Sequence, residues 1–115
     1  MNDADYIEIK TRIVDGTTIL SPMGEIDLSR APSLRTHISA VQAKRPRRLI
    51  IDLTAVPYMD SSGVATLIEA MQTARRSGGK LVLCALQEKV RSIFEIARLE
   101  TVFTIVNTTD EGLTV

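Results

Sequence analysis

The sequence predicts an α/β protein: a mixed, mostly parallel β-sheet with an N-terminal antiparallel hairpin and α-helices packed against it. Three observations predict it. Stretches of strand length alternate with stretches of helical apolar spacing, a strand near the middle of the chain is apolar on both sides, and a hairpin signal precedes the first alternation. Strands joined through helices run parallel by right-handed crossovers, so only the hairpin makes the sheet mixed.

From Tyr6 to Val14 the residues alternate and are rich in Ile and Val, and Asp15-Gly16 supplies the positive-φ residues of a tight turn before Thr17-Thr18-Ile19-Leu20. This predicts two antiparallel strands. Ser29 stands where it can cap a helix with Pro32 in its first turn, and Ala31, Leu34, Ile38 and Val41 recur at helical spacing until Pro46 stops them. Arg48 to Leu53 is an almost continuous apolar run, expected of a central strand covered on both faces. After Pro57, residues Val64, Leu67, Ile68 and Met71 fall at i, i+3, i+4 and i+7, and Ser77-Gly78-Gly79 ends this second helix. Lys80 to Cys84 reads as a short buried strand, Val90, Ile93, Phe94 and Ala97 as a third helix, and Val102 to Val106 as a last strand. The polar tail after Asn107 leaves room for a brief helix. With no internal repeat or linker, residues 1–115 read as one domain with its core at about 6–106.

Composition narrows the function. The 14 Lys+Arg balance 14 Asp+Glu, so the totals supply no positive field for nucleic acid or an anionic membrane. Lys44, Arg45, Arg47 and Arg48 bracket Pro46, where cations would complement the end of the first helix, and nucleic-acid binding is not expected. Cys84 is the single cysteine and His37 the single histidine, which excludes an intrachain disulfide, a cysteine-based metal cluster and a paired-histidine metal site. Cys84 reads as an inert buried thiol and His37 as a structural residue. There is no G-x-S-x-G elbow or phosphate-binding loop, so neither an enzyme nor a cofactor is expected. The start Met1-Asn2-Asp3-Ala4-Asp5 is unlike a secretory signal, and no apolar run approaches the ~20 residues that span a bilayer. The expectation is a cytoplasmic protein without direct membrane insertion.

In open sheets of this kind, function collects at the carboxyl ends of the parallel strands. Two loops there carry suitable residues. Asp60-Ser61-Ser62-Gly63 falls at the start of the second helix. With Asp60 as N-cap, its carboxylate accepts from Ser62 or Gly63, and the Ser61 hydroxyl points outward beside the positive end of the dipole. A phosphate there would sit at a helix start next to backbone donors. Gly63, lacking a side chain, would admit a partner close to the serine. The same four residues also make a good helix start with no further role. Gly24-Glu25-Ile26-Asp27 leads into the first helix: its carboxylates can line the edge near Ser61, or Asp27 can cap the loop and Gly24 permit a bend. Thr66, Glu69 and Thr73, opposite the apolar stripe of the second helix, are expected to add contact area.

Gly24-Glu25-Ile26-Asp27, the apolar strand with Asp52, Tyr58-Met59-Asp60-Ser61-Ser62-Gly63 and Ser77-Gly78-Gly79-Lys80-Leu81, in this order and spacing, resemble a STAS domain of the anti-sigma factor antagonist type from about Tyr6 to Val106. The resemblance implies the STAS fold and a partner-switching regulator. It implies that an anti-sigma factor with serine kinase activity phosphorylates Ser61, that the unphosphorylated chain binds that factor and releases the sigma factor, and that a metal-dependent serine phosphatase resets the switch. By position, Asp27 and Asp60 would shape the site, and Gly24, Ser62 and Gly63 would belong to the partner-binding surface. Ala65 stands where many members carry a second glycine. The same fold also serves non-switching STAS subunits of stressosome-like or lipid-transport assemblies.

Overall fold

A computed structural model describes residues 5–115, and its elements follow the predicted order. The hairpin is β1 (Glu8–Val14) and β2 (Thr17–Met23), followed by α1 (Ala31–Gln42), β3 (Arg48–Asp52), α2 (Ser61–Arg76) and β4 (Lys80–Cys84). Then come α3 (Glu88–Ile96), a short 3-10 turn (Leu99–Thr101), β5 (Thr104–Val106) and α4 (Thr109–Gly112). The hairpin turn has φ 49° at Asp15 and 80° at Gly16, the double positive φ that matches strand twist in a two-residue loop. The five strands lie in sequence order, with β1 and β2 antiparallel and the rest parallel.

The apolar run of β3 divides by alternation between two cores. Leu49 and Ile51 pack with Leu34 and Ile38 of α1, Leu67 and Met71 of α2 and Phe94 of α3. Ile50 points the other way, joining Ile19, Val82 and Cys84 beneath Leu113 and Val115. Both sides of the strand are therefore covered, one by three helices and the other by the short C-terminal segment. Burial, with Asp52 adding to it, pushes the Cys84 thiol up to about 12 and leaves it protonated. His37 donates from Nδ1 to the Ser33 carbonyl at 3.0 Å, its ring edge-on to Tyr6. Among the described residues no helix is long and apolar enough to cross a membrane, and no group of three His, Cys, Asp or Glu could hold a metal ion.

Several expected boundaries shift for local reasons. β1 starts at Glu8 because the Ile7 N–H turns to the Ser33 hydroxyl of α1 at 3.3 Å. Ser29 does not cap α1: its N-cap is Arg30, without a side-chain cap, and Asp27 braces the turn ahead of it, its Oδ1 accepting the Arg30 N–H at 3.0 Å and its carbonyl the Ala31 N–H at 2.9 Å. α1 ends at Gln42, and Arg45, immediately before Pro46, takes a left-handed φ of 51°. The basic residues thus fall beyond the helix, and its last turn contains none. β5 is shortened because the N–H groups of Val102 and Phe103 both donate to Leu99, while the Phe103 ring packs 5.5 Å from Phe94.

Candidate functional site

β2 and β3 are parallel neighbours, so the chain leaves both at the same edge of the sheet. Gly24 adopts φ 107°, which side-chain-bearing residues avoid, and its N–H reaches the Ala55 carbonyl at 2.9 Å. The Ile26 N–H then donates to Tyr58 at 3.0 Å and the Asp60 N–H to Ile26 at 3.0 Å, forming a parallel bridge between Ile26 and Met59. Both of those side chains are fully buried and pin the bridge from below. Two loops more than thirty residues apart in sequence become one hydrogen-bonded platform. Asp52 organises its root, accepting from the Thr54 N–H and hydroxyl and from the Ser21 hydroxyl.

Asp60 is the N-cap of α2 and joins the two loops through one carboxylate. Oδ1 accepts from the Ser62 N–H at 2.9 Å, the Gly63 N–H at 3.3 Å and the Ser62 hydroxyl, while Oδ2 accepts from the Leu28 N–H at 3.0 Å. These bonds, led by the Ser62 hydroxyl, hold its pKa below the ordinary carboxylate value against the opposing effect of burial. Asp27 is likewise lowered, first by the Ser29 hydroxyl and then by the Arg30 N–H.

The adjacent serines are placed differently. Ser61, the first residue of α2, is exposed, and its hydroxyl has no hydrogen-bond partner among the described residues. Ser62 is half-buried with its hydroxyl held on Asp60. The anion seat foreseen here is smaller than expected, because Asp60 already occupies the Ser62 and Gly63 donors. An anion on Ser61 would stand outside the cap, beside a carboxylate.

The expectation that Gly63 touches a partner is corrected. Gly63 is buried, and a Cβ on it would lie 2.9 Å from Ile26 Cγ2 and 3.2 Å from the Ile26 carbonyl. Its missing side chain lets the 21–29 loop sit directly on α2. Gly63→Ala should therefore cost up to about 2 kcal/mol in urea denaturation, an overpacking penalty of about 1–3 kcal/mol offset by about 1 kcal/mol of helix propensity. Unchanged stability would show that the loop can retreat freely.

Of the expected contact face of α2, Thr66 is closed off, while Glu69 and Thr73 stay partly exposed. Thr66 is 2% exposed, its hydroxyl donating to the Ser62 carbonyl at 2.9 Å, and Glu69 pairs with Arg35 of α1 at 3.2 Å. Both face α1. What lies beside Ser61 is an apolar groove between α2 and α3, lined by Tyr58, Val64, Ala65, Ile68, Ile93 and Ala97. Ile96, 84% exposed, stands on α3, and Leu28, 75% exposed, stands on the platform. Ile68 and Ile93 read in sequence as core positions; both are half-buried, packing against the core while also lining the groove.

Residues 8–112 match the STAS domain family. The chain is 37% identical over 105 residues to the anti-sigma-B factor antagonist of Listeria monocytogenes, with 91% of each chain covered. It is 31% identical over 114 residues to the anti-sigma-F factor antagonist RsfB of Mycobacterium tuberculosis, covering 99% of this chain and 93% of that one. Its fold matches the crystal structure of an anti-sigma factor antagonist from Mycobacterium paratuberculosis with a TM-score of 0.88 at 31% identity, covering 99% and 97% of the two chains. All three are named for antagonism of an anti-sigma factor, a regulatory binding role and not an enzymatic one.

Proposed function

The chain belongs to the STAS domain family, and on that premise we propose that it is an anti-sigma factor antagonist whose binding is switched by phosphorylation of Ser61. The observation that carries this reading is the contrast between the two serines: the Ser61 hydroxyl is exposed and unpartnered at the rim of an apolar groove, whereas the Ser62 hydroxyl is committed to the cap. Unmodified, the Ser61 hydroxyl adds no charge to the rim, and the partner seats against the groove and the platform shaped by Gly24, Asp27 and Asp60, with Ser62 and Gly63 supporting it from inside.

An anti-sigma factor with serine kinase activity then transfers the terminal phosphoryl group of ATP to Ser61 Oγ, with loss of the hydroxyl proton. The added −1.5 to −2 charge, about the usual value at neutral pH, releases the partner. A metal-dependent serine phosphatase hydrolyses the ester and restores the hydroxyl. Because sigma factors act in transcription, this reading implies a cytoplasmic protein.

Incubation with the partner kinase and ATP, followed by mass-spectrometric site mapping, tests the reading. One phosphate is expected on Ser61, none on Ser61→Ala, and full modification of Ser61 in Ser62→Ala. Equal modification of Ser61→Ala, or a phosphate found on Ser62, would refute it.

A further inference from the structure

On its other flank α2 faces α1 across a cleft that the switch does not use. Side chains meeting there are short or polar, including Ser39, Thr66, Ala70, Thr73 and Ser77, and a space of about 400 Å³ stays open between the helices. That lies within the roughly 300–1,000 Å³ of small-molecule sites. Ile38 and Ala70 supply an apolar floor, and the Gln42 side-chain nitrogen spans the gap to the Ala70 carbonyl at 2.8 Å, setting the helix spacing.

The charges around the cleft do not cancel. Arg35 is neutralised by Glu69 at 3.2 Å, while the Arg45 guanidinium has no hydrogen-bond or ion-pair partner among the described residues. Carbonyls at the two helix ends oppose an anion, so the Arg45 guanidinium has to outweigh them, and several of them already accept hydrogen bonds. Ser39, Val41 and Gln42 accept from the N–H groups of residues 43, 44 and 45, and Thr73 and Ala74 from Ser77 and Gly79. The lining is left with one net positive charge, an apolar floor and the Ser39 hydroxyl.

We propose that this cleft binds a small organic monoanion with a flat apolar body, of the class of aromatic carboxylates. The ring lies over Ile38 and Ala70, and the carboxylate meets Arg45 and Ser39. Because the cleft and the Ser61 groove are on opposite flanks of α2, the site does not depend on the proposed switch.

Titration of the labelled chain with 2-naphthoate, and with neutral 2-naphthamide as control, followed by amide NMR, tests this. Saturable shifts are expected at Ser39, Gln42, Ala70 and Thr73. Arg45→Ala should weaken naphthoate about fivefold or more, as loss of a charge-assisted contact requires, and leave naphthamide unchanged. Ala70→Leu should abolish binding of both by filling the floor, and Ser39→Phe, at the exposed rim, should do the same without touching the helix contact. The proposal is overturned by shifts confined to the Ser61 groove, by no saturable binding, or by equal effects of Arg45→Ala on the two probes.

Discussion

Phosphorylation of Ser61 is expected to weaken binding to the anti-sigma factor by about 10²–10³-fold, the equivalent of several kcal/mol of uncompensated charge at an interface built for a neutral hydroxyl. The geometry explains why so much of the penalty survives. Of the donors in the first turn of α2, Ser62 and Gly63 already serve Asp60, so the phosphate gains nothing from them and faces a carboxylate instead. The groove below is lined by Tyr58, Val64, Ile68 and Ile93 and cannot solvate a dianion once water is excluded. Calorimetric titration should show the loss for the phosphorylated chain, a smaller one for Ser61→Glu, and near-native affinity for Ser61→Ala. Thermal unfolding should hardly change, because the hydroxyl is exposed and unpartnered. Equal affinity of the phosphorylated and unmodified chains would end the switching hypothesis.

Asp60→Ala should produce the largest loss of stability among single changes at the site, about 2–3 kcal/mol. An N-cap deletion costs about 1–2 kcal/mol, and here the Leu28 N–H and the Ser62 hydroxyl lose their acceptor as well, adding about 1 kcal/mol. The effect also has a pH signature. Asp60 is held below its ordinary value of 3.8 in the folded chain, so its stabilising contribution is full above that value and disappears as the pH falls through the lower native one. Urea denaturation should therefore separate wild type from Asp60→Ala clearly at pH 7 and progressively less below pH 4. An equal gap across that range would show that the cap works without its charge. The variant should also bind the partner poorly, because both loops lose their shared anchor.

Much of this site is legible along the chain. The spacing of Val64, Leu67, Ile68 and Met71 behind Asp60 places Ser61 at the first position of a helix, and the cap follows from local backbone geometry alone. Gly63 is legible as a residue needing close approach, but what approaches it is Ile26, from a loop whose proximity depends on β2 lying next to β3. The same non-local pairing hides the hydrogen bonds from Gly24 to Ala55 and from Leu28 to Asp60.

By itself the sequence determined the order of elements, the mixed sheet and the exposed serine, because each depends on periodicity or capping within a turn or two of chain. Only the tertiary structure decided which flank of α2 meets which neighbour. Helical periodicity separates buried from exposed positions, but a helix lying on a sheet between two others has two lateral flanks that look alike in sequence. Thus Thr66 and Glu69, polar and outward by pattern, turn toward α1, while Ile68, apolar and inward by pattern, opens onto the groove beside Ser61.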